Sequence, residues 1–257
     1  MRLIISAIIW DKALRADMRQ VELIPLAREF GCVGVEFRPY WKQAGAEVPE
    51  IREVLKKHGL VCAYASNEVL LADSEEATRQ ALVSLRVSVG LAAGLGAGIL
   101  RLNVANGLFN TAFIRSGWWR NALKDILSEA RETGITLAVE NGPDPLKGDA
   151  YLLRDILAAD TSDTLRLTYD TGNWLYAEME PEKALAMLLP YIGYVHLKDI
   201  VSEAGSLKHS YPGTGLVNIK GLAEKIRASG YSGLYALEFP GGDNPGERVQ
   251  QALKYLA

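Results

Sequence analysis

Cysteine is scarce in this chain of 257 residues, which contains only Cys32 and Cys62. Both lie in apolar runs with the character of β-strands, a setting that suits buried, reduced thiols better than a disulfide framework or a cysteine zinc site. Because free thiols are typical of reducing compartments, we expect a cytoplasmic protein.

Clusters of positive charge are also missing. The chain holds 28 Lys and Arg against 31 Asp and Glu, a formal net charge of −3, and it has no long basic run. Proteins that bind nucleic acids usually present a basic face to the phosphates. We therefore predict a small-molecule substrate and no nucleic-acid partner.

Long hydrophobic runs are absent as well. The longest uncharged stretch, residues 87–100, contains four glycines and is too short to span a bilayer. The apolar opening segment MRLIISAIIW lacks a small-residue cleavage signature, and we interpret it as a first strand rather than a signal peptide. We expect a soluble protein with no membrane partner, and we leave open whether it forms a homo-oligomer.

Strand-like and helix-like segments alternate along the chain. Amphipathic segments, several of which end at glycine, lie between short aliphatic or β-branched runs, and each strand–helix unit averages about 32 residues, the size of a crossover unit. This pattern predicts a single-domain α/β protein over residues 1–257, a (β/α)8 TIM barrel. The eight predicted strands lie near residues 3–9, 32–38, 60–66, 98–104, 135–140, 165–170, 192–197 and 234–239.

Ligand-type side chains lie at the carboxyl ends of the last four predicted strands, where barrels of this kind carry their chemistry. They are Glu140, Asp170, His196 and Glu238. Each alone would equally suit a helix cap, a salt bridge or a hydrogen-bonded core histidine. Three converging carboxylates repel one another, however, and a divalent cation removes that conflict.

We therefore predict one divalent metal ion held by these four residues. The hard oxygen donors with one nitrogen favour Mn²⁺ or Mg²⁺, with Co²⁺ or Zn²⁺ as alternatives, and the lack of thiolate ligands argues against a closed structural zinc site.

Several short segments resemble a known family. VEN, YDTGN, HLKD, GTG and LEFPG are similar to segments of the xylose-isomerase-like TIM barrels, a superfamily of sugar isomerases and epimerases that also contains the apurinic endonucleases. The resemblance implies that Glu140, Asp170, His196 and Glu238 are the metal ligands of the ketose epimerase branch, and that Glu140 and Glu238 are also the catalytic acid and base.

The sequence departs from that family at several histidine positions. Asn173 and Asn103 stand where many relatives carry histidine, and the chain has three histidines in all. The several zinc ions of the endonuclease branch are therefore not expected. Asn173 can still form hydrogen bonds with a substrate, although it cannot carry charge.

The function predicted from these residues is a metal-dependent sugar isomerase or epimerase. Such an enzyme removes the proton beside a carbonyl and passes through an enediolate, and the substrate is a sugar or keto-polyol. The alternatives are a dehydratase of a keto-polyol or dehydroshikimate-like acid, an apurinic endonuclease and a non-catalytic sugar-binding barrel.

Other polar or aromatic residues near the predicted strand ends are candidates for substrate contact. Glu36 and Arg38 share one face of a strand and equally suit an internal ion pair, and His209 equally suits a solvated loop. The indole rings are placed to stack on a substrate. The candidates are Glu36, Arg38, Asn103, Asn173, Lys198, His209, Trp10 and Trp174.

Overall fold

A closed ring of eight parallel strands forms the centre of the protein in the computed structural model, which describes residues 1–105 and 116–257. The predicted TIM barrel is thus confirmed. Around the ring, each strand pairs with the next in the chain, and the last pairs with the first. The barrel strands are β1 (Arg2–Ser6), β2 (Gly34–Phe37), β3 (Val61–Leu71), β4 (Ile99–Ala105), β5 (Thr136–Glu140), β6 (Leu165–Asp170), β7 (Ile192–Leu197) and β10 (Leu234–Leu237).

Helices follow the strands and cover the outside of the barrel. No helix among the described residues combines the length and apolarity that crossing a bilayer requires. The described α-helices are α1 (Asp11–Arg15), α2 (Leu23–Glu29), α3 (Ala44–His58), α4 (Glu75–Leu95), α5 (Trp119–Glu132), α6 (Ala150–Leu157), α7 (Asn173–Tyr176), α8 (Pro181–Leu188), α9 (Ile219–Ala228) and α10 (Pro245–Leu256).

The core has two parts because successive strand residues face opposite sides of the sheet. Outward-facing residues pack against the helices, and both cysteines are buried there as free thiols. The barrel interior is filled by a smaller cluster that includes Ala63, Ala138 and Ala236. Small residues at these positions leave room above them for larger polar side chains at the strand ends.

A two-stranded hairpin, β8 (Asp199–Glu203) and β9 (Ser206–Ser210), follows β7 where the sequence suggested only a loop. Asp199 anchors the hairpin, because its carboxylate accepts hydrogen bonds from the backbone N–H groups of Ile200 and Val217 and of each residue of the Gly213–Gly215 segment. The amides of that GTG segment are thus directed at Asp199 and away from any external anion.

Candidate metal centre and active site

Three of the predicted ligands meet at the carboxyl ends of neighbouring strands. Glu140 ends β5, Asp170 ends β6 and His196 lies near the end of β7, directly opposite Asp170 in the strand register. All three are buried, and one donor atom from each lies within 4.8 Å of the others. The strand order therefore brings two carboxylates and an imidazole to one point.

Glu36, inside the barrel, fixes the orientation of the His196 ring. Nε2 of His196 lies 2.7 Å from Oε2 of Glu36, and the same carboxylate accepts hydrogen bonds from Ser6 and Tyr194. With Nε2 bound in this way, Nδ1 faces Glu140 Oε1 at 2.6 Å. Burial lowers the pKa of His196, but the charges of Glu36 and Glu140 outweigh this effect and raise the pKa to about 10.

The atoms that face one another at this point lack hydrogen bonds. Glu140 Oε1, Asp170 Oδ2 and His196 Nδ1 are buried and form no hydrogen bond of regular geometry, although Glu140 Oε1 lies 2.6 Å from His196 Nδ1 and Asp170 Oδ2 lies 2.9 Å from Lys198 Nζ. Buried polar atoms are normally hydrogen-bonded, and one shared cation would satisfy all three of these atoms. Two carboxylate oxygens and an imidazole nitrogen are suitable ligands for Mn²⁺, Co²⁺ or Zn²⁺, and the residues therefore fit a divalent ion.

Asp170 is held by the turn that follows β6. Its Oδ1 accepts hydrogen bonds from the backbone N–H groups of Gly172 and Asn173, each at 2.9 Å, which leaves Oδ2 to face the centre. Burial, together with the charge of Glu140, raises the pKa of Asp170 although Lys198 opposes the shift.

Asn141, which sequence reasoning missed, links Asp170 to the predicted substrate residue Asn173. Its Oδ1 accepts from the backbone N–H of Asp170, and its backbone carbonyl accepts from Nδ2 of Asn173. Asn173 is buried, and its Oδ1 has no hydrogen-bond partner. The signal for Asn141 was its position in the VEN segment, directly after Glu140.

Glu238 lies in the same strand-end layer but makes different contacts. Its Oε1 is 2.9 Å from Arg38 and its Oε2 is 2.8 Å from Lys198. Burial raises the pKa of Glu238, but Lys198 and Arg38 more than offset this effect and lower the pKa to about 2. Glu238 is not part of the three-residue group, so its role as a fourth ligand stays a prediction.

Arg101 is a further buried residue that contacts the centre. It lies on β4, its guanidinium forms a buried ion pair with Glu140, and it donates to the Ser66 carbonyl at 3.0 Å. Burial raises the pKa of Glu140, but Arg101 and His196 bring it well below its usual range. Asn103, a candidate for substrate contact, donates a hydrogen bond from Nδ2 to the backbone carbonyl of Asn67.

Glu36 forms the internal ion pair that was the alternative to substrate contact, 3.1 Å from Arg38, and its contact with a substrate stays a prediction. Glu36 is fully buried, and Ser6, Arg38, Tyr194 and His196 occupy its carboxylate. It therefore supports the His196 ring from inside the barrel. In metal-binding histidines, the second ring N–H commonly donates a hydrogen bond to such a carboxylate.

Trp174 is fully buried in the structure, and its contact with a substrate stays a prediction. Its indole is fully buried and packs 5.5 Å from the ring of Tyr169, whose hydroxyl donates to the Pro181 carbonyl at the start of α8. Since Asp170 faces the barrel interior, its neighbour Tyr169 faces the helices. Trp174 therefore belongs to the layer between strands and helices.

Trp10 and His209 lie at the mouth of the barrel. Trp10 lines a cavity of about 620 Å³ together with residues that follow β10, among them Pro240 and Gly241. His209 is exposed on β9, with its ring edge against Tyr176 at 5.1 Å. Neighbouring residues desolvate part of its ring, and this partial desolvation together with the charge of Lys198 lowers the pKa of His209. Contact of either residue with a substrate stays a prediction.

We expect Glu36→Gln to lower the free energy of unfolding by about 3 kcal/mol, because breaking a buried ion pair leaves its partners uncompensated. Denaturant unfolding followed by circular dichroism measures the change. Glu53→Gln, which removes an exposed pair with Lys56, is the control and should change stability little. Equal stability losses in the two variants would contradict the support role of Glu36.

Comparisons with known proteins agree with this architecture. The family described as xylose isomerase-like TIM barrel matches residues 24–257. L-ribulose-5-phosphate 3-epimerase UlaE of Salmonella heidelberg (strain SL476) is 25% identical over 264 residues, which cover 96% of this chain and 92% of the epimerase.

Two solved structures share the fold. A D-tagatose 3-epimerase-like protein superposes with a TM-score of 0.78 at 17% identity, covering 100% of this chain and 97% of its own. The IolI protein, solved with a bound zinc atom, superposes with a TM-score of 0.81 at 15% identity, covering 99% and 96% of the two chains.

Proposed function

Because this chain belongs to the xylose isomerase-like TIM barrel family, we propose that it is a divalent-metal-dependent isomerase or epimerase of a sugar. The observation that carries the proposal is the convergence of three buried donor atoms, one each from Glu140, Asp170 and His196, within 4.8 Å of one another, with a further carboxylate, Glu238, in the same layer. The curated relative named as a sugar-phosphate epimerase supports the substrate class.

Glu140, Asp170 and His196 would hold the ion. When bound there, a divalent ion supplies positive charge that stabilises an enediolate formed from the substrate. The similar IolI protein was solved with a bound zinc atom, which supports a metal ion in a barrel of this fold.

The two glutamates are suited to moving protons between substrate carbons. Glu238 is kept ionised by Arg38 and Lys198, and Glu140 by Arg101, so each starts as a base. Because both carboxylates have low pKa values, they take a proton only from a carbon that the site has made acidic. Inversion of the carbon requires the other glutamate to have taken up a proton from solvent, which it then delivers to the opposite face, whereas return of the abstracted proton by the same glutamate to the neighbouring carbon isomerises the sugar.

The second candidate is a dehydratase of a keto acid. It is favoured by three buried cations at the strand ends, Arg38, Arg101 and Lys198, which suit a substrate carboxylate. Elimination would start from the same proton abstraction.

Proton NMR in D₂O separates these functions. We expect the Mn²⁺-loaded protein to exchange one carbon-bound proton of a ketose or ketose phosphate from a panel for deuterium, without loss of water from the substrate. Removal of the ion by a chelator should stop the exchange. Vinylic signals from a keto acid would favour the dehydratase. Absence of both exchange and elimination over the whole panel would contradict the proposal.

A further inference from the structure

A second cavity, of about 490 Å³, opens at the amino ends of the barrel strands, opposite the candidate metal centre. Strands β1, β3, β4 and β10 begin around it, and the carboxyl-terminal parts of α3 and α4 form its outer side. Pockets that hold small molecules have volumes in this range. We call this space, which Arg2, Arg52, Val61 and Ile99 line, the basal cavity.

The floor of the basal cavity is apolar. Val61, Ile99 and Leu234 line it, and the same side chains pack in the cluster inside the barrel. Gly98 also lines it, and a Cβ atom added at this glycine would meet nothing within 4 Å. The floor is therefore able to remove the apolar body of a ligand from water.

The rim of the basal cavity is positively charged. Arg2, Arg52 and Lys56 line it, and no Asp or Glu is among its described lining residues. Lys56 pairs with Glu53 at 2.9 Å, and the charges of Lys56 and then of Arg52 lower the pKa of that carboxyl. Glu53 lies outside the lining and is 71% exposed, so one carboxylate faces three cations and the rim keeps an excess of positive charge.

Contacts of Arg52 with the end of α4 use only part of its hydrogen-bonding capacity. Its Nη1 lies 3.5 Å from the carbonyl oxygen of Ala93 and 3.4 Å from that of Gly94. Both distances are long for a hydrogen bond, and a guanidinium carries five N–H donors. A carboxylate or phosphate would form shorter and stronger contacts with the same group.

We propose that the basal cavity binds a small organic anion. Its apolar body lies on the floor, and its carboxylate or phosphate group contacts Arg2, Arg52 and Lys56. Because active sites of such barrels lie at the carboxyl ends of the strands, this ligand is not the substrate. The inference is therefore independent of the metal centre and of the proposed function.

Two fluorescent probes test the basal cavity. 8-Anilino-1-naphthalenesulfonate (ANS) carries one sulfonate, and N-phenyl-1-naphthylamine has the same rings without it. We expect the double variant Arg2→Met/Arg52→Met to weaken ANS binding about tenfold or more, because the charge-assisted contacts are lost. The same variant should change the affinity for the uncharged probe less than about twofold, because the apolar floor is intact. Gly98→Phe, which fills the cavity, should weaken binding of both probes.

Lys12→Met is the matched control, because Lys12 lines the other cavity, of about 620 Å³, beside Trp10. It should leave ANS binding unchanged. The inference is overturned if Arg2→Met/Arg52→Met binds ANS as the wild type does, or if Lys12→Met loses as much affinity as that double variant. Circular dichroism and thermal unfolding check that each variant folds, and the two single arginine variants replace the double variant if it does not.

Competition against ANS identifies the chemical class of the ligand. Benzoate and phenyl phosphate should each displace ANS, and the one that acts at the lower concentration shows whether a carboxylate or a phosphate is preferred. Displacement by neither compound, or by inorganic phosphate as readily as by phenyl phosphate, would overturn the inference. Mn²⁺ should leave ANS affinity unchanged, so failure to bind Mn²⁺ would count against the proposed function alone.

Discussion

Asp170→Asn is expected to abolish measurable Mn²⁺ binding and to lower kcat/KM at least 10³-fold. The substitution keeps the side-chain oxygen that accepts from the Gly172 and Asn173 amides, but it removes the charge that faces the centre. Loss of the ion removes several kcal/mol of stabilisation from the reaction, which corresponds to a thousandfold or more in rate. Calorimetry and turnover of the substrate found by NMR measure the two effects.

Asp155→Asn is the matched control for this prediction. Asp155 lies on α6, where its side chain is 56% exposed and pairs with Arg154. The Asp155→Asn variant should retain both metal binding and activity. If Asp170→Asn retained wild-type metal affinity in a folded protein, the three-residue centre would be refuted.

Glu238→Gln is expected to lower kcat about 10³-fold while KM changes only a few-fold, because a positioned general base or acid typically contributes 10² to 10⁴ in rate. The amide keeps the size and an acceptor oxygen for Arg38, but it cannot take a proton from carbon. Exchange of substrate hydrogen with D₂O should fall in parallel with kcat.

Glu182→Gln, on the first turn of α8, serves as the control for this variant. Exchange at the wild-type rate in Glu238→Gln would assign proton transfer to another group. Retention of Mn²⁺ by the same inactive protein would distinguish a lost proton carrier from a lost metal.

The barrel was predictable because its strands are short aliphatic runs separated by helical segments. The β8–β9 hairpin was missed because its strands are polar and its turn has a weak signal. Ala204 and Gly205 both adopt positive φ angles, 49° and 80°, a turn usually marked by Asn-Gly or Asp-Gly. Alanine at the first position hides that turn from a sequence pattern.

The convergence of Glu140, Asp170 and His196 was predictable because these residues lie at the ends of neighbouring strands, but their partners were not. The ion pair between Arg101 and Glu140 depends on where a long side chain on β4 points, which residue spacing does not fix. The burial of Trp174 was not predictable because the chain turns into a helix after Asp170, and the strand alternation no longer applies there.

The anchoring of the hairpin by Asp199 has an energetic consequence for recognition at the barrel mouth. His209 is carried on a paired ribbon whose first residue is bonded to five backbone amides, and is therefore not on a free loop. Its backbone has already lost most of its conformational entropy on folding, so a ligand that contacts the imidazole gives up little further freedom of the protein.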